Sequence, residues 1–288
     1  MSIRITRLSK NTLAVESPVM NAAGTLGFGD EYRDLLDLSA LGAFVTNPLT
    51  YTTWSPATGT RVVPLEAGML VHTGLPNPGI SKVISQYRAL WERLPVPVIA
   101  HIVVNSVDEM HKCIALLERE NVIQAVELGL SDEISAAETE WYIRSAAQRS
   151  EKPLLVRMPF GATQDHYQAA VDAGADALVI CAPPRGTARD QAGRLVAGRI
   201  YGPLIKPIIL RTVGQLARRF SRIPIIGAGG IHSTQDARDF LEAGAVAVQV
   251  DSVTWVMPKM LESIARDLSG MESTQPDESM DDLFGNPN

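Results

Sequence analysis

Two cysteines are all that the 288 residues contain, and Cys113 and Cys181 stand far apart in the chain. Their separation matches neither a zinc-binding nor a dithiol spacing, so no metal site is expected and a reducing cytoplasm is the expected compartment. No apolar run reaches the roughly 18 residues that cross a bilayer. The opening MSIRITRLSK lacks the apolar core of a secretory signal, so neither membrane attachment nor export is expected. Basic residues are in no excess either, with 26 Lys and Arg against 32 Asp and Glu. Most of the net charge of −6 comes from Glu272, Asp277, Glu278, Asp281 and Asp282 in a final stretch without a basic residue. The remainder of the chain is close to neutral, which excludes the positive footprint of a nucleic-acid binder. That final stretch, 271–288, is polar and Pro-bearing and reads as an acidic, disordered tail. A docking peptide using Leu283 and Phe284 is the alternative.

What the chain does have is a hydrophobic content of 45% and an alternating pattern. Short, β-branched apolar runs take turns with segments of helical period, the pattern of parallel strands joined by crossover helices. After a hairpin of Ile3–Ile5 and Leu13–Val15, eight runs qualify as strands: Val19–Ala22, Ala43–Thr46, Val98–Ile102, Ala125–Leu128, Leu154–Val156, Ala177–Ile180, Ile223–Ile226 and Ala245–Val250. Helical stretches fall near 30–38, 79–93, 106–119, 136–149, 164–172, 204–219, 233–243 and 254–268. Ser106 and Glu109 have the spacing of a capping box, and Gly174 and Gly244 sit where a left-handed helix end is wanted. Eight such units favour one closed (β/α)8 TIM barrel over residues 1–270, which is close to the about 250 residues such a barrel takes.

Reactive groups of a closed barrel lie at the C-terminal ends of its strands. That rule singles out Ala22-Ala23-Gly24, Thr46-Asn47, His101, Gly129 to Glu133, Arg157, Cys181-Ala182, Gly227 to Gly230 and Asp251-Ser252. Two long loops on the same face, Thr50 to Gly79 and Ala182 to Pro203, read as lids or substrate walls. The run IIGAGGI (Ile225–Ile231) ends a strand in glycines and opens a helix. Its bare amides, with those of Asp251 and Ser252, suit a phosphate. A glycine turn needed only for helix packing is the plainer alternative. The Asp251 carboxylate opposes an anion unless it points away.

Together NAAGTLGFGDEY (Asn21–Tyr32), LGAFVTN (Leu41–Asn47), AGMLVHTGLPNPG (Ala67–Gly79), YGPLIKP (Tyr201–Pro207), IIGAGGI and AVQVDS resemble the family-1 dihydroorotate dehydrogenases. The likeness is strongest to the type that works with a separate electron-transfer subunit, and it extends over roughly 1–270. It implies an FMN-dependent barrel that oxidises dihydroorotate to orotate in pyrimidine synthesis. By position it implies flavin contacts at Ala22, Ala23, Gly24, Asn47 and Gly202, and a phosphate on Gly229, Gly230, Asp251 and Ser252. Arg157 stands where the family has a lysine beside the flavin. The family forms homodimers or pairs with an electron-transfer flavoprotein, and both are expectations here.

The departures lie on the substrate side. The family's catalytic loop reads roughly Asn-x-Ser-Cys-Pro-Asn, whereas this chain has Gly129-Leu130-Ser131-Asp132-Glu133-Ile134, with Asp132 in the cysteine's place. Two further substrate asparagines become Val71 and Ala182, a lysine becomes Asn47, and an asparagine on the third strand becomes His101. Sites built on such hydrogen bonds discriminate by orders of magnitude, so a different small-molecule substrate is an open expectation. Asp132, with Ser131 beside it, is a candidate base if burial raises its pKa, or else a solvated loop acid. His101 is a candidate proton carrier or a satisfied barrel histidine. Cys181 reads as a buried apolar residue, His72 as an exposed loop residue, and Arg185 and Arg189 as contacts for an anion or as solvated charges. Lys206 leaves a Schiff-base role as a minor alternative. Two other functions stay open beside the flavin oxidoreductase: a non-catalytic partner subunit, and a phosphate-binding lyase or isomerase.

Overall fold

A computed structural model describes residues 2–8 and 11–269. The expected tail at 271–288 lies outside these described residues. In chain order the strands are β1 (Ile3–Arg4), β2 (Ala14–Val15), β3 (Val19–Asn21), β4 (Phe44–Val45), β5 (Val62–Leu65), β6 (Gly68–Val71), β7 (Val98–Val103), β8 (Ile123–Gly129), β9 (Leu154–Arg157), β10 (Ala177–Ile180), β11 (Arg185–Arg189), β12 (Leu195–Tyr201), β13 (Ile225–Ala228) and β14 (Ala247–Val250). The helices are α1 (Ile80–Trp91), α2 (Val107–Leu117), α3 (Ala136–Ala147), α4 (Gln164–Ala173), α5 (Lys206–Arg219), α6 (Thr234–Glu242), α7 (Val253–Val256) and α8 (Pro258–Leu268). Eight parallel strands run in the order β3-β14-β13-β10-β9-β8-β7-β4, so the expected barrel forms, with the hairpin β1-β2 beside it.

Strand alternation sorts the side chains into two apolar layers. Val98, Ala100 and Ile102 of β7 pack outward under the helices with Val126 and Leu128 of β8. Ile99 and Ala125 turn into the barrel, where they meet Met20, Val45, Leu155, Val179 and Ile226. Ile5, Leu13 and Val15 of the hairpin region join that inner cluster and close the floor of the barrel with hydrocarbon. The seam between β3 and β4 is closed by the Gly42 N–H bonding the Val19 carbonyl at 2.8 Å and, above it, by a side chain. The Asn21 amide donates to the Val45 carbonyl at 2.7 Å and accepts from the Val45 N–H at 2.9 Å, standing in for the missing backbone pair.

Local caps follow the sequence. Ser106 accepts from the Glu109 N–H to start α2, and Ser135 with Glu138 forms a full capping box at α3. Gly174 ends α4 in the left-handed conformation. Two expected helices differ. Residues 30–38 form turns and then a short 3-10 stretch at Leu38–Ala40. There the Glu31 carboxylate accepts from Phe28 N–H and the Trp91 indole donates to the Phe28 carbonyl, fixing a compact turn in place of a helix. The stretch 254–268 is broken into α7 and α8 because Pro258 has no N–H to give and keeps Met257 out of helical backbone (φ −141°, ψ 76°).

The two long loops, read from the sequence as lids or substrate walls, contain regular structure at the mouth. Each carries a hairpin, and the hairpins pair into one antiparallel sheet of order β11-β12-β6-β5, with Arg199 opposite Val71 and Tyr201 opposite Met69.

Candidate functional site

Above the apolar floor, the barrel interior turns polar. Four strands each send one side chain inward: His101 from β7, Glu127 from β8, Arg157 from β9 and Gln249 from β14, all buried. Glu127 is the hub. Its Oε1 accepts from Arg157 Nε at 2.9 Å and faces His101 Nδ1 at 2.7 Å, while its Oε2 accepts from Gln249 Nε2 at 2.6 Å. Arg157 also donates to the Gln249 carbonyl oxygen and to the Cys181 backbone carbonyl. Full burial pushes the Glu127 carboxyl upward, but the Arg157 charge and the bonds from His101 and Gln249 outweigh it. The group is held well below the usual carboxylate range.

His101 has its second nitrogen free. Nε2 lies on the far edge of the ring from Glu127 and has no partner among the described residues. It sits beside Gly129, where an added Cβ would come within 2.7 Å of it. The missing side chain at Gly129 is therefore the room the imidazole occupies. Asn47 lies at the end of the neighbouring β4. Its N–H bonds the Gly27 carbonyl, and its Oδ1 is buried without a partner. An orphaned acceptor at the mouth is open to a donor from a ligand.

Asp132 has surroundings of another kind. Arg199 of β12 grips it with two nitrogens, at 3.0 Å to Oδ1 and 2.7 Å to Oδ2, and Arg185 of β11 adds a third contact at 2.6 Å. Burial raises the carboxyl, and the two guanidiniums overcome that effect and lower it. Upward tuning of Asp132, on which a base role depended, is not what these neighbours produce. Ser131 accepts from the Glu133 N–H and stays in the loop. Arg199 was not singled out by the sequence, because nothing local places β12 over β8. Nor were Glu127 and Gln249, which read as ordinary strand residues. Their signal was a polar residue at an inward register position of an apolar strand.

The rim after β13 and β14 is the phosphate candidate. An added Cβ on Gly229 would stand 2.5 Å from Ile209 and one on Gly230 2.7 Å from the Lys206 backbone N, so both glycines are needed for α5 to approach. Their amides meet no acceptor among the described residues. Ser252 differs: its N–H and Oγ both donate to Oδ1 of Asp251, and its Oγ faces His232 Nε2 at 3.0 Å. Burial raises the Asp251 carboxyl above its ordinary value, against those bonds and the charges of His232 and Arg157.

Of the remaining positions, Ala22 is buried and bonds through its N–H to Val250, whereas Ala23 is half-buried and Gly24 exposed at the end of β3. Gly202 closes against Ala67 and Gly68 where the mouth sheet returns to the barrel. Cys181 is buried, and burial drives its thiol up to about 12. His72 is exposed, and Arg189 donates to the Gly193 carbonyl. Lys206 is held between Asp236 and Asp239, which raise its pKa despite partial burial and keep its amine protonated. Among the described residues no cluster has the makings of a metal site and no helix is long and apolar enough to cross a membrane.

The model of the dihydroorotate dehydrogenase family matches residues 8–271. Among curated relatives, the dihydroorotate dehydrogenase B (NAD(+)) catalytic subunit of Citrifermentans bemidjiense is 32% identical, with 95% of each chain covered. The protein of the same name from Trichlorobacter lovleyi is 34% identical with 94% of each chain covered. That from Geotalea daltonii is 33% identical with 88% of each covered.

Proposed function

Since the chain belongs to the dihydroorotate dehydrogenase family, we propose that it is an FMN-dependent oxidoreductase acting on a small molecule, in the cytoplasm. The observation that carries this reading is Arg157, a cation kept buried at the floor of the barrel mouth by Glu127. Such a cation, held rigidly by its hydrogen bonds, suits a cofactor that gains negative charge on reduction. The orphaned Asn47 Oδ1 and the bare amides of Gly229 and Gly230 fit the two ends of FMN. Ala22, Ala23, Gly24 and Gly202 would line it, and Asp251 and Ser252 would border its phosphate.

FMN, when bound, supplies a two-electron acceptor. The protein's own part is to hold charge and protons in place. Glu127 fixes one edge of His101, so the free Nε2 is directed at the space beside Gly129 and can take or give a proton there. Asp132, with its lowered pKa, is a poor proton acceptor near neutrality. The asparagines that read dihydroorotate in the family are replaced by groups without amides, so the substrate differs from dihydroorotate or is bound by other contacts. The relatives are named as catalytic subunits of an NAD(+)-linked enzyme. By extension this chain works with a further subunit, and the homodimer and electron-transfer flavoprotein implied by the family resemblance complete the proposal.

One observation favours a second reading, a family member that keeps the cofactor without turning over dihydroorotate. The Asp132–Arg199–Arg185 cluster occupies the loop that would meet the substrate. An absorbance scan of the purified protein at about 300–550 nm, repeated on the supernatant after heat denaturation, tests the flavin itself. Turnover of dihydroorotate by wild type excludes the second reading, and turnover that appears only in Asp132→Ala assigns the block to this cluster. A colourless protein that takes up no added FMN excludes both.

A further inference from the structure

We propose that Asp251 couples the binding of FMN to the uptake of one proton, so that this chain holds the phosphorylated flavin far more tightly in mild acid than in base. The proposal rests on the FMN reading above and concerns only its phosphate end.

Ser252 offers an N–H and a hydroxyl at the rim after β14, and both are already spent on the Asp251 carboxylate. The protein thus carries its own anion where an incoming anion would look for donors. That carboxylate is buried, so a phosphate brought onto the adjacent Gly229 and Gly230 amides meets a negative charge that water screens poorly. The charged and titratable groups facing Asp251 come from three elements. His232, on the loop after β13, reaches Ser252 from the other side, and Arg157 of β9 and Tyr201 of β12 are close enough to feel its charge. Arg157 is committed to Glu127, and Tyr201 is kept neutral by burial, which lifts its phenol to about 12. His232 is therefore the remaining neighbour at the rim, held there by its bond to the Ser252 hydroxyl. Protonation of Asp251 removes the opposing charge, releases the Ser252 amide and leaves an O–H that can itself donate to phosphate. Riboflavin carries no phosphate and asks for none of this.

The test uses the full chain stripped of flavin, with dissociation constants for FMN and for riboflavin read from flavin fluorescence at intervals from about pH 6 to about pH 8.5. For wild type the FMN dissociation constant should rise about tenfold per pH unit once Asp251 ionises in the free protein, as uptake of one proton requires. Asp251→Asn should bind FMN with no such slope and more tightly at the alkaline end, and riboflavin should be indifferent to pH in both proteins. Asp251→Ser, which keeps a small polar group, serves if the asparagine variant fails to fold. An FMN slope that persists in both variants assigns the effect to His232 or to the phosphate itself and overturns the proposal. FMN binding that is absent from wild type at every pH but present in the variants overturns it too, since Asp251 then excludes phosphate outright. If neither flavin binds to any of the proteins, the FMN reading falls and the proposal falls with it.

Discussion

Glu127 and Asp132 are five residues apart on one strand and its loop, and each is gripped by arginine, yet they are different devices. Glu127 has no exposed surface and bonds to side chains from three other strands. Asp132 is only partly covered, and its partners come from the mouth sheet, one of them, Arg185, mostly in water. A buried pair is costly to form and far costlier to break on one side, because the survivor is left charged and dry. A pair at the surface contributes little and is easily replaced by water. The first arrangement fixes the geometry of a site, and the second is a fastening that can open.

Breaking the buried member should have the largest effect. Glu127→Gln leaves Arg157 uncompensated and should cost about 3–5 kcal/mol in urea unfolding. Because the Glu127 pKa is depressed in the folded state, its contribution is complete above the ordinary carboxylate value of 4.5 and is lost as pH falls below it. The wild-type acid limb should therefore be steeper than that of the variant, and equal limbs would contradict the assignment.

The next contrast sharpens the role of His101. Gly129→Ala places a methyl 2.7 Å from the ring nitrogen, and since Glu127 prevents the ring from retreating, about 1–3 kcal/mol should be lost. Gly161→Ala, where an added Cβ meets nothing within 4 Å, is the control and should be near neutral. Equal stability of the two variants would mean that the ring is not fixed.

Smallest is the mouth. Asp132→Asn should lower stability by no more than about 1 kcal/mol, with a gap that narrows in high salt. A loss matching that of Glu127→Gln would dissolve the distinction between the two carboxylates.

The sequence shows the barrel well and its mouth poorly, for one physical reason. Strands and helices of the barrel announce themselves through local periodicity: β10 spans the Ala177–Ile180 run itself, and Gly174 stops α4 where its backbone freedom is needed. The mouth sheet depends on Val71 meeting Arg199, a pairing between remote segments that no local pattern encodes. The site divides likewise. Strand ends such as His101, Arg157 and Asp251 could be found by position. The partners that give them character, Glu127, Gln249 and Arg199, become visible only when the barrel closes and the loops pair. The expected helix at 30–38 gives way to turns because Glu31 and Trp91 both bond the backbone of Phe28 and fix the chain that enters the stretch.

The mouth sheet also sets an order of events for the growing chain. β5 and β6 are made before most of the barrel, but the free edge of β6 has no partner until β12 has been synthesised. Until then the hairpin is an open template for any extended segment nearby. Completing β12 covers that edge in the same step that brings Arg199 over Asp132. The sheet's remaining edges are then the short outer strands β5 and β11, and the mouth is complete at the same moment of synthesis.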